Sequence, residues 1–434
     1  MSHPLPPLVA ERLRTLRERP IEPTEKGFGS LAARARVSAA TLAAARPGLH
    51  AAGFTYPLLT VRDSALENNV AAMAGFCDRA GVALAPHGKT AMSPELAARQ
   101  LAHGAWGITV ATIGQLQAYR AFGFGRLLLA NELTDQAGIA WLAAELAADP
   151  GFVAYCYVDS PGGVRILDQV LQCHPAGRRL PVLVEIGHAD GRTGCRTDEQ
   201  ALAVAKAADV TGTLTVAGVA GYEGSIRGDS SAEVLGGVAA FCRRLRALGD
   251  ALGGIVTAGG SAYFDVVTDA LTAGGGGDGG GGQVILRSGA YLTYDHGFYG
   301  TASPAGRGAA DAPALRPALE LWAQVLSRPE PGLALLGAGR RDVGFDKGLP
   351  VPLRVRRADG RQALVGRETA GAGWAVTELN DQHAFLRVDP AAALAPGDAV
   401  ALGISHPCTT LDKWRVLVVV NDDETVIDAV HAFF

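Results

Sequence analysis

Between about residue 82 and residue 287, apolar positions gather into short β-rich runs, each followed by an Ala/Leu-rich stretch of helical character. The runs are Val82–Pro86, Gly107–Ala111, Arg126–Asn131, Phe152–Asp159, Pro181–Gly187, Thr215–Tyr222, Gly254–Ala258 and Val284–Arg287. Such a series of strand–helix repeats predicts an α/β fold built on a (β/α)8 TIM-type barrel. An open doubly wound sheet is the competing arrangement, because a linear pattern does not show closure. One helix is clearly signed. Ser93 stands as N-cap, Pro94 at the first helical position, Glu95 beside the positive end of the dipole, and Gly104 as terminator.

The pattern changes from Arg316 onward. Leu319–Leu326, Leu333–Leu336, Ala384–Val388, Ala399–Ile404 and Val416–Val420 are separated by turn residues such as Pro329, Gly332 and Pro396–Gly397–Asp398. This spacing predicts a compact all-β domain. Phe54–Val61, ahead of the barrel, has strand character and is expected to join that sheet. The expected division is a helical arm over 1–53, a strand in 54–63, the barrel over 64–300 and the β domain over 301–434. The glycine tract Gly274–Gly282 predicts a disordered surface loop.

Composition narrows the function. The chain has 434 residues and is 48% hydrophobic, enough for more than one core. Its 39 basic and 43 acidic residues give a net charge of −4 without a basic block, which argues against a nucleic-acid surface. Aromatic residues make up only 6%, too few for stacking platforms. Arg and Glu interrupt the N-terminal segment where a signal peptide needs apolar residues, and no run approaches the roughly 18 of a membrane span. Six irregularly spaced cysteines do not form a disulfide framework. A soluble, cytoplasmic enzyme with no membrane or nucleic-acid partner is expected.

Four segments carry candidate chemistry. Ala85-Pro-His-Gly-Lys-Thr90 ends the first barrel strand, and the barrel's functional groups gather at that end. An extended backbone there points His87 and Lys89 the same way, and a strand-end lysine inside a barrel suits a Schiff base. Thr257-Ala-Gly-Gly-Ser261 follows the seventh strand, where barrel phosphate sites occur, and its glycines allow a nest of N–H groups. Ile285-Leu-Arg-Ser-Gly-Ala-Tyr291 brings Arg287 and Gly289 beside it. Arg192, in Gly191-Arg-Thr-Gly194, offers a planar donor fork for a phenolate or phosphate, with a salt bridge to Asp190 or Glu185 as the plainer alternative. Tyr222 is placed to flank a flat ligand, or else to fill the core. In Ser405-His-Pro-Cys-Thr-Thr410 the proline favours an extended His406, so that His406 and Cys408 share one side as half of a zinc site.

Together these motifs resemble the D-serine dehydratase-like and D-threonine aldolase family of alanine racemase-type (fold type III) pyridoxal-phosphate enzymes. The likeness runs from about Tyr56 to the C-terminus. The resemblance implies pyridoxal 5′-phosphate on Lys89, with Arg192 facing its phenolic oxygen and Gly259, Gly260, Ser261, Gly289 and Ala290 holding its phosphate. Arg287 falls where racemases of this fold place the partner of the pyridine nitrogen. His406 and Cys408 match the zinc ligands of D-serine dehydratases, so a divalent metal, zinc by that match, is implied. A head-to-tail homodimer is implied as well, along with small D-amino acid substrates. The expected activity is a dehydratase-type deaminase giving a keto acid and ammonia, with aldolase cleavage to glycine and an aldehyde as the alternative. A racemase fits less well, having no use for the metal pair. A non-catalytic cofactor-binding barrel would lack the β domain.

Overall fold

The structure is a computed structural model that describes residues 3–226, 231–273, 282–364 and 373–434. Apart from Gly282, the glycine tract lies outside these residues. All the runs predicted for the barrel form parallel strands: β2 (Ala83–Leu84), β3 (Ile108–Val110), β4 (Arg126–Glu132), β5 (Val153–Val158), β6 (Leu180–Ile186), β7 (Leu214–Gly221), β8 (Ile255–Ala258) and β9 (Val284–Leu286). Their order is β2-β9-β8-β7-β6-β5-β4-β3. The ring closes between its two ends. His87 bridges Thr109 in parallel, Trp106 N–H donates to Leu84 O at 2.7 Å, and Thr109 Oγ1 donates to Ala85 O at 2.7 Å. The arrangement is a barrel and not an open sheet.

Side-chain alternation explains why these strands read as unbroken apolar runs. Leu128, Tyr157, Leu183 and Ala220 fill the barrel interior, while Leu127, Leu129 and Val182 pack outward under the helices. The helix Pro94–Ala102 forms where it was signed. Ser93 Oγ accepts from Leu96 N–H, and Gly104 takes a φ of +89° that suits glycine.

Leu58–Arg62 (β1) leaves the barrel's chain order and enters the second sheet. It pairs antiparallel with β10 (Leu319–Glu330) and parallel with β17 (Val416–Val420). The path of that sheet is β13-β12-β16-β10-β1-β17-β18, with β11 (Leu333–Leu336), β15 (Ala384–Arg387) and β14 (Ala375–Leu379) branching from β10. Here β12 is Val351–Arg356, β13 is Gln362–Leu364, β16 is Ala399–Gly403 and β18 is Val426–His431. Strands β12, β13, β14 and β18 are not apparent in the sequence. Pro352 and two arginines break the apolar pattern of β12, and its ladder depends on β16, far along the chain.

The N-terminal arm docks on both parts. Its Phe28, Val37, Leu42 and Leu49 pack with Trp322, Val416 and Val418 of the β sheet. Its first helix, Pro7–Arg17, sends Val9 into the barrel's outer core and ion-pairs Arg17 with Asp428. Among the described residues no helix is long and apolar enough to cross a membrane.

Candidate active site

A cavity of about 430 Å³ opens at the C-terminal ends of the barrel strands, walled on one side by the β domain. It lies within the usual size range of small-molecule sites, about 300–1,000 Å³. All twelve of the candidate residues singled out above line it.

Lys89 sits on the short turn Gly88–Thr90 that follows β2. A Cβ at Gly88 would fall 2.6–2.7 Å from the Tyr119 ring, whose hydroxyl donates to Gly88 O at 2.9 Å. That clamp fixes the turn and aims the lysine inward. No carboxylate or hydrogen-bond acceptor among the described residues holds its amine, which stands in the cavity and meets solvent through the mouth. Enclosure lowers its pKa below the ordinary lysine value. The charges of Arg192 and Arg287 add to this, against an opposing pull from Cys408. His87 beside it is held far below the usual imidazole value, by burial first and then by Lys89, Arg287 and Arg192. Its ring is therefore neutral, and Nδ1 is buried without a partner.

Arg192 makes no ion pair with Asp190 or Glu185; its guanidinium lies 4.6 Å from the centroid of the Tyr222 ring. Arg287 is only 6% exposed and is tied by neutral acceptors, Thr257 Oγ1 at 2.7 Å and Gly221 O at 2.5 Å. Among the described residues no carboxylate is bonded to it. Two cations thus face the cavity beside a lysine of lowered basicity, which favours an anionic ligand.

The glycine turn differs from its expected use. Gly259 and Gly260 line the cavity, but their N–H groups donate to the buried carboxylate of Glu223, at 3.1 and 2.6 Å. Ser261, Gly289 and Ala290 donate no backbone hydrogen bond within the described chain.

From the β domain, Cys408 opens the short helix Cys408–Leu411, and its Sγ lies 3.5 Å from Thr90 Oγ1, one residue from Lys89. His406 and Cys408 therefore share a cavity with Lys89 of the same chain. His406 Nδ1 bonds both Asp346 oxygens at 2.9 and 2.8 Å, and Thr409 Oγ1 donates to the same carboxylate at 2.7 Å. Burial lowers the His406 pKa, but Cys408 and Asp346 outweigh it and leave the value raised. A carboxylate bonded to one ring nitrogen fixes the tautomer and turns the other nitrogen toward a metal. Sequence reasoning missed Asp346, a single acid 60 positions upstream with no spacing signal.

A second unexpected group lies at the ends of β4, β5 and β6. Ligand atoms of Glu132, Asp159 and Glu185 come within 4.8 Å of one another. Neither Glu132 oxygen accepts from an N–H or hydroxyl donor among the described residues, and burial, followed by the adjoining Glu185 carboxyl, pushes its pKa up to about 9. Glu132 is a neutral acid at pH 7. Because the folded state keeps a proton that the unfolded chain releases near the ordinary carboxylate value, stability falls as pH rises from about 4.5 toward 9. Glu132→Gln should remove this slope and raise the thermal midpoint at pH 8 relative to the parent. Melting curves from pH 5 to 9 test this, and parallel curves for the two proteins would contradict it.

The barrel and the lysine- and arginine-lined cavity define an alanine racemase-type enzyme. Residues 61–265 match the family profile "Alanine racemase, N-terminal domain", and residues 318–420 match "Putative serine dehydratase domain". The chain is 30% identical over 390 residues to a D-threonine aldolase of Arthrobacter sp, covering 87% of this chain and 92% of that protein. It is 26% identical over 392 residues to a 3-hydroxy-D-aspartate aldolase of Paracoccus denitrificans (strain Pd 1222), covering 88% and 93%. The crystal structure of D-threonine aldolase from Filomicrobium marinum superposes with a TM-score of 0.73 at 25% identity, over 88% of this chain and 95% of that one. The chain belongs to the D-serine dehydratase-like and D-threonine aldolase family of fold type III pyridoxal-phosphate enzymes, and it is a pyridoxal-phosphate-dependent lyase.

The cavity suits that cofactor. It offers an amine of lowered basicity, two cations and three unengaged backbone N–H groups. The β-domain wall suits a divalent ion, with a thiol and an imidazole backed by a carboxylate.

Proposed function

We propose that the enzyme eliminates water from D-3-hydroxy amino acids, and that the released enamine takes up water as it hydrolyses to a keto acid and ammonia. The observation that carries this reading is that His406 and Cys408 line the same cavity as Lys89, with Cys408 beside the Lys89 turn. Pyridoxal phosphate, when bound, supplies the electron sink that makes Cα–H acidic. Lys89 is then the base at Cα, since its lowered pKa leaves more of its amine unprotonated near neutral pH. It is the one lysine lining the cavity among the described residues, so a proton is taken from a single face and one enantiomer is preferred. The names of the relatives support the D series.

Hydroxide is a poor leaving group, and a divalent ion on His406 and Cys408 would supply Lewis acidity toward it. Arg192 and Arg287 bind and orient anionic groups, and the clamp of Tyr119 on Gly88 holds Lys89 in place. The second reading is aldol cleavage, which needs a base at the β-hydroxyl and not at Cα. His87, neutral and lining the same cavity, is the base that reading would use. Product analysis on D-serine, D-threonine and 3-hydroxy-D-aspartate separates the two. Keto acid with equimolar ammonia supports dehydration, whereas glycine with an aldehyde overturns it in favour of the aldolase.

A further inference from the structure

The turn after β8 is held from two directions. Glu223, the first residue of the turn Glu223–Ser225 beyond β7, is fully buried, and both its carboxylate oxygens are used on Gly259 and Gly260. On the other side, Gly259 O accepts from Arg287 N–H at 3.2 Å and from Ser288 Oγ at 3.1 Å. Glu223 forms no ion pair with a lysine or arginine among the described residues, so these two amides are its main compensation. A carboxylate with no access to water does not give them up without losing its own solvation.

We infer that Glu223 is a positioning residue that occupies the Gly259 and Gly260 amides permanently and leaves the cofactor's phosphate to Ser261, Gly289 and Ala290. The inference rests on the cofactor reading and concerns only which donors meet the phosphate. The three remaining N–H groups are unengaged, and Ser261 adds a hydroxyl in the cavity wall. Close approach explains Gly289: a Cβ there would lie 2.5 Å from His87 O and 2.9 Å from Thr90 Oγ1. Without that side chain, the Gly289–Ala290 backbone comes up against the Lys89 turn. Glu223 thereby sets how deep the phosphate end reaches relative to Lys89.

Hydrogen exchange read by mass spectrometry on the wild-type protein, stripped of cofactor with hydroxylamine and then reloaded, tests the assignment without a mutation. Gly259 and Gly260 should exchange equally slowly in both states, while Ser261, Gly289 and Ala290 slow by tenfold or more on loading. Protection of Gly259 and Gly260 that appears only on loading would overturn the inference and leave the cofactor reading standing. Failure of the protein to take up any pyridoxal phosphate would overturn both. A second arm compares pyridoxal phosphate with phosphate-free pyridoxal on Glu223→Gln, which places an amide NH₂ against a backbone N–H. Affinity for pyridoxal phosphate should fall tenfold or more with pyridoxal unchanged. Equal losses for both, or no loss, would contradict a role directed at the phosphate.

Discussion

Lys89→Ala is expected to lower turnover by a factor on the order of 10⁴ or more, because proton transfer by a placed base alone contributes about 10²–10⁴ and attachment of the cofactor is lost as well. The cause is local. The amine faces the cavity without an acceptor, so nothing in the fold depends on it. Stability should change by no more than about 0.5 kcal/mol, as for other substitutions outside packed contacts. Pyridoxal phosphate should still bind through the arginines and the backbone donors, but without the absorbance band near the visible–ultraviolet border that attachment to lysine produces. Added methylamine should restore a small part of the activity by supplying the missing base. Steady-state rates with and without the amine, beside a denaturation curve, provide the check. A variant that keeps a tenth of its activity would show that another residue is the base.

Cys408→Ala should separate cofactor binding from turnover. In the proposed site the cofactor is held by Lys89, the arginines and the backbone donors, while Cys408 comes from the β domain. The lysine-bound absorbance band should therefore persist, while turnover falls by a factor on the order of 10²–10⁴, the equivalent of several kcal/mol of Lewis-acid stabilisation. Chelation of the wild-type protein should give the same pattern, reversed by adding zinc. Since a thiol ligand binds metal as its deprotonated form, metal affinity should decline as pH drops. Exchange of the Cα proton with solvent should survive both treatments, because Lys89 is untouched. Full activity in a metal-free preparation would remove the role of His406 and Cys408.

The parts of this molecule legible in the sequence are those written in local order. Buried parallel strands read as apolar runs, and the cap at Ser93 or the pair His406-x-Cys408 is a short-range pattern. Barrel closure is not written that way, since it depends on His87 meeting Thr109 across the ring. The same holds for Asp346, Glu132 and Glu223. Each is one acid among 43, indistinguishable from a solvated charge until the fold buries it or brings it to a partner. The Gly259–Gly260 turn was recognisable as a turn able to hold an anion. The acceptor it holds is the chain's own carboxyl group, supplied from 36 positions upstream.

The central claim, that the cavity at the barrel's C-terminal end holds the cofactor on Lys89, is tested most directly by borohydride reduction of the loaded enzyme followed by peptide mapping. The account predicts a single pyridoxyl adduct on the peptide containing Lys89. An adduct on Lys206, Lys347 or Lys413 would contradict it.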